Sequence, residues 1–177
     1  MAIRARGRKG NTLVEFTLVG IPVIFLLISI FEMSRGMWMY HTLAHSLKEG
    51  VRFAVVRGND CNVSPSNCAA TIGTIARRIR DSAVGMPAGD LINVQFRSST
   101  RTVACTTLES CLSSGTFWPA SPPGSTVDRG GAPVTGWVEI SAQYRFRSAI
   151  SMFLPGSRGI VFSPVLLPAS SRQAIVH

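Results

Sequence analysis

Residues 7–33 read GRKGNTLVEFTLVGIPVIFLLISIFEM, and this stretch decides what kind of molecule the chain can be. A basic tract ends at Gly10, an apolar run begins at Leu13, and Glu15 stands two residues inside it. Twelve of the sixteen residues from Phe16 to Phe31 are Phe, Leu, Ile or Val. On an insertion scale each favours the bilayer by roughly 0.3–0.6 kcal/mol, about 4–7 kcal/mol together. A carboxylate at the bilayer centre costs about 2.5–3.5 kcal/mol, and Glu15 lies at the edge, where the cost is smaller. Insertion wins. As a helix, residues 13–33 cover about 31 Å, enough to cross a hydrocarbon core. Pro22 removes one backbone donor inside this segment and predicts a kink, which membrane helices tolerate.

Charge sets the orientation. Arg4, Arg6, Arg8 and Lys9 have no acid beside them, so residues 1–10 are expected to stay cytoplasmic as a basic leader, with the chain after residue 33 outside the inner membrane. The formal net charge is +9, and 16 of the 18 basic residues are Arg. The remaining arginines are scattered and no aromatic-and-glycine RNA-binding signature accompanies them, so nucleic acid is not an expected partner. No small-residue cleavage site comes after the apolar run; the next residues, EMSRGMWMY, are bulky and charged. The segment is therefore expected to stay attached to the rest of the chain, as a single-pass anchor in the lipid bilayer.

Beyond Glu32 and Arg35, apolar residues at Met37, Tyr40, Ala44, Leu47, Val51 and Ala54 recur at steps of three and four. That spacing predicts one helix over 11–57, with Gly58, Asn59 and Asp60 as its stop. Residues 58–177 read as an exported α+β head. CAATIGTIARRIRDSAVG puts Ile72, Ile75, Ala76, Ile79 and Ala83 on one face of a short helix. LINVQFRS and WVEISAQYRFR alternate as half-buried antiparallel strands, with Ile92, Val94 and Phe96 on one side of the first. A shorter strand is expected over Thr102–Cys105. One or two more are expected near 160–167 and 171–176, where Pro164 and Pro168 indicate an edge or bends. SSGTFWPASPPGSTVDRGGAP reads as a long loop with Trp118 as a packing anchor. The fold class is α+β, a long N-terminal helix packed on a small antiparallel sheet with one short helix.

Cys61, Cys68, Cys105 and Cys111 all fall on the outer side of the proposed span, and none has C-x-x-C spacing, so disulfides are expected rather than a metal site. Three pairings are open. Cys61–Cys68 and Cys105–Cys111, each closing a short loop, are favoured over a cross-link between the two regions. His41 and His45 are four apart on the helix without a third ligand or a base nearby, and read as surface or interface residues. G-x-S-x-G, Walker, G-x-G-x-x-G and H-E-x-x-H motifs are missing from the sequence, so neither catalysis nor a cofactor is expected.

The string RKG/NTLVEF, with a glycine five residues before a glutamate, a basic leader and an apolar helix, resembles a class III prepilin signal. More narrowly, VEFTLVGIPVIFLLISIFEMSRGMW followed by LKEGVRFAVVRG is similar to the TadE-like family, minor pseudopilins of Flp/Tad pilus systems. The resemblance covers residues 7–58 and implies cleavage after Gly10 by a prepilin peptidase. It further implies a new amine on Asn11, an assembly contact between that amine and Glu15 of a neighbouring subunit, and partners among other pilins and the inner-membrane assembly platform. The implied function is assembly, initiation or capping of a pilus that supports adhesion, biofilm formation or secretion. Two alternatives stay open: a minor pseudopilin of a type II secretion or type IVa system, and an uncleaved single-pass protein whose head binds a periplasmic ligand.

Overall fold

The computed structural model describes residues 9–57, 69–99, 101–118, 126–127, 133–134, 136–148 and 163–174. Helix α1 (Lys9–Val56) is one element of 48 residues, continuous through Pro22, and about 72 Å long at 1.5 Å per residue. Among the described residues nothing covers its first half. Leu13, Phe16, Ile24, Phe25 and Leu27 each leave more than half of their surface exposed. Its second half is part of the head, with Leu43, Leu47, Val51 and Ala54 buried.

The stripe expected through Met37, Tyr40 and Ala44 is rotated near its start. Met37 and Tyr40 are exposed, while Met39 packs against the core and Leu43 is fully buried. Met37, Trp38, Met39 and Tyr40 ring the helix with apolar groups, so periodicity there does not choose a face; the tertiary contact does.

Helix α2 (Ile72–Ser82) opens with a reciprocal cap in which the Thr71 hydroxyl accepts from the Thr74 amide and the Thr74 hydroxyl accepts from the Thr71 amide. Ile72, Ile75, Ala76 and Ile79 are buried, with α2 packed on α1 and on α3 (Leu108–Leu112), and Ala83 just beyond joins them, the face that the sequence predicts. A 3-10 turn at Ala88–Asp90 leads into β1 (Leu91–Ser98). Strands β2 (Thr102–Thr107), β5 (Trp137–Phe146) and β6 (Val165–Ala174) complete an antiparallel sheet in the order β2-β1-β5-β6. Between them lie α3, just before the stretch read as a long loop, and a two-residue ladder of β3 (Thr126–Val127) with β4 (Pro133–Val134), within that stretch and at its end.

One strand expectation is corrected and another is narrowed. The register of β1 against β5 shifts between Ile92 and Gln95, where Asn93 adopts φ 53°. The extra residue breaks the simple alternation, so Leu91, Val94 and Phe96 are buried and Ile92 is only half-buried. Of the one or two strands expected near the C-terminal residues, one is present among the described residues, β6, which pairs with β5 throughout, Pro168 opposite Gln143. Proline is tolerated there because β6 is an edge strand. The architecture is α+β: a long N-terminal helix and two short ones on a small antiparallel sheet, with one core between them. Trp118 anchors that core, 2% exposed and edge-on to Phe96 with ring centroids 6.2 Å apart.

Candidate functional site

The residues with a proposed role lie along α1, at three levels. At its start, α1 begins at Lys9, so Gly10 and Asn11 belong to the first turn. Asn11 and Glu15 are four apart and share one helix face. Glu15 is exposed, and among the described residues nothing bonds to it.

The second level is a neck where the apolar half ends. Glu32 and Arg35 form an ion pair at 3.6 Å, one helical turn apart. The Arg35 guanidinium stacks over the Phe146 ring at 4.7 Å and donates a hydrogen bond to the Arg147 carbonyl. Arg147 in turn faces Asp90 at 3.9 Å. Beside them, burial and then the Asp90 carboxylate push the Tyr144 phenol above its ordinary range, with Arg35 and Arg147 acting the other way. Sequence reasoning notes Glu32 and Arg35 only as the end of the apolar run. Their use depends on β5 returning to this point, which no local pattern encodes.

The third level is the string Glu49–Ala54. A Cβ built on Gly50 would stand 2.5 Å from Ile79 Cγ1 and 3.5 Å from Ile140 Cδ1. Only a glycine lets α2 approach α1 so closely. Glu49 reaches Arg52 at 3.4 Å on its own helix and Arg78 of α2 at 4.0 Å. Phe53 packs against the core under the Arg57 guanidinium, 4.6 Å from its ring centroid. With Phe146 at Arg35 and Ile140 at Gly50, β5 runs back along α1 towards the apolar half.

Cys105 and Cys111 form a disulfide, Cα atoms 5.9 Å apart, that ties β2 to α3. The other expected pair, Cys61 and Cys68, lies outside the described residues, as does the leader before Lys9. His41 and His45 are both exposed, His41 edge-on to Tyr40 at 5.9 Å. Among the described residues no three His, Cys, Asp or Glu side chains gather to hold a metal. An open depression of about 540 Å³ is lined mainly by amide and hydroxyl groups, including Asn93, whose side chain donates to Gln143 at 3.0 Å.

Helix and head together define a class: an α+β head carried on one N-terminal helix long and apolar enough to cross a membrane, none of whose most apolar window is buried. Residues 10–52, which are most of α1, match the family model described as TadE-like protein, so the likeness read from the sequence is shown for this helix. That family is associated with Tad pilus systems. The match takes in Glu15, Pro22, the Glu32–Arg35 pair and Gly50, and ends before the sheet. No curated protein and no solved structure matches the chain.

Proposed function

We propose that this chain is a minor pilin or pseudopilin of a Flp/Tad-type pilus, anchored in the inner membrane by α1 with its N-terminus cytoplasmic and its head in the periplasm. Its role is assembly, initiation or capping rather than catalysis. A prepilin peptidase cuts between Gly10 and Asn11, and other pilins and the assembly platform receive the processed helix. The observation that carries this reading is the TadE-like match over residues 10–52, falling on a helix whose first half is bare apolar surface. The chemistry is coherent. A carboxylate and an amine, each costly alone in a low-dielectric setting, become tolerable as an intermolecular pair and fix the axial register of neighbouring helices. Glu15 is exposed and available for that pairing.

The test is the mature N-terminus of the protein taken from its native membrane, beside a Gly10→Val variant. The expected result is a chain starting at Asn11, and an uncut chain when Gly10 is replaced. A start at Met1 or Ala2 in both removes the Asn11 amine, and with it the pairing, in favour of an uncleaved anchor. If processing holds, Glu15→Gln is expected to insert normally yet fail to join the pilus.

A further inference from the structure

The neck has a consequence for the head itself. A helix needs about 20 residues to cross a hydrocarbon core about 30 Å thick. Counted from Leu13, those residues end at Glu32, which puts Arg35 only about 4.5 Å beyond, at the depth of the lipid headgroups. Phe146 and Arg147 touch Arg35, so the end of β5 lies at that depth too. Its register partners lie there as well: Val165 pairs with Phe146, and Leu166 with Arg145. Val165 is 58% exposed and Leu166 46%. On α1 the same level carries Met37 and Trp38, 62% and 67% exposed.

Exposed apolar groups, an indole and three arginines (Arg35, Arg145, Arg147) therefore meet at one end of the sheet, with Glu32 paired to Arg35 and Asp90 facing Arg147. That is the composition of a lipid–water interface: apolar side chains entering the acyl boundary, aromatic rings at headgroup level and cations at the phosphates. We propose that this end of the sheet is a lipid-docking surface, with Val165 and Leu166 set into the outer leaflet and Arg145 and Arg147 on phospholipid phosphates. Before assembly the head rests on the membrane rather than standing away from it. This rests on the membrane anchoring proposed above.

The test uses the full chain in vesicles of phosphatidylethanolamine and phosphatidylglycerol, with a nitroxide attached at Ile24→Cys, Leu166→Cys or Ala174→Cys in separate variants. Ala174 is exposed at the far end of the strand that Leu166 begins. Collision with oxygen, which concentrates in lipid, is compared with collision with a water-soluble nickel chelate. The expected result is an oxygen-to-nickel ratio several-fold higher at 166 than at 174, falling when Arg145→Gln and Arg147→Gln are combined. Equal ratios at 166 and 174, with 24 still in lipid, overturn the docking surface and leave the anchor standing. A label at 166 shielded from both reagents also overturns it, since the chain itself then covers the site. An aqueous label at 24 would sink the anchoring instead.

Discussion

Gly50 of α1 and Ile79 of α2 are so close that a Cβ on the glycine would stand 2.5 Å from the isoleucine Cγ1. Ile79 is fully buried and cannot simply swing away. Overpacking of this kind costs about 1–3 kcal/mol, while alanine in place of a helical glycine returns up to about 1 kcal/mol of helix propensity. Gly50→Ala is therefore expected to lose about 1 kcal/mol net, seen as a Tm about 2–4 °C lower for the full chain in detergent. Ile79→Ala opens the space, so the double variant should cost less than the sum of the singles.

Gly73 makes a harder case. Its Cβ would meet the carbonyl oxygens of Leu112 and Ser114, both at 2.8 Å, and its amide donates to the Ser114 carbonyl at 3.0 Å. Backbone atoms cannot change rotamer. Gly73→Ala is expected to lower the urea midpoint by more than Gly50→Ala, with no single side-chain substitution able to restore it.

The Cys105–Cys111 disulfide closes a short loop, so its stabilisation through the unfolded chain is modest, about 2 kcal/mol. Replacing both cysteines with alanine is expected to lower the urea midpoint correspondingly while leaving the helix content seen by circular dichroism unchanged. A change in helix content would mean that the bond shapes α3 rather than restraining it.

Tyr144 gives the head a pH dependence. Its phenol is raised above the ordinary value, first by burial and then by Asp90. The folded protein therefore holds this proton after the unfolded chain, titrating near pH 10, has begun to lose it. In that window the unfolded state binds fewer protons, so stability is complete below about pH 10 and declines as pH rises through the folded value. Urea midpoints of the full chain measured across that window should fall more steeply for the native protein than for Tyr144→Phe. Parallel slopes would show that another group carries the effect.

Much of the fold is legible because it is written in local periodicity. The apolar run, the stripe from Leu47 to Ala54 and the face from Ile72 to Ala83 each repeat at helical spacing, and β5 alternates without interruption. Misreadings cluster where a distant element decides. Asn93 takes a positive φ, and its bulge re-aims Ile92 against β5, a strand that begins more than forty residues later. Pro164 and Pro168 indicate an edge or bends, and β6 takes the first of these, because its partner strand β5 lies on one side only. The short α3 has only one turn and a half of pattern. At the candidate site, Gly10, Asn11 and Glu15 are legible by spacing and resemblance. The neck and the Gly50 crossing are not, because both consist of contacts between α1 and elements far along the chain. An interior helical glycine, costing about 1 kcal/mol against alanine, is the one available signal.

The last strand completes the packing that the first helix starts. Strand β6 ends at Ala174 and packs beside α1 as well as β5. On the topology proposed, α1 enters the membrane early in synthesis, and the part of its head-side surface that β6 covers stays open until residues 165–174 have been translocated, although α2 and β5 can already pack on α1. A chain stalled before Val165 would leave β5 as an unpaired edge beside α1, open to proteases and holding chaperones.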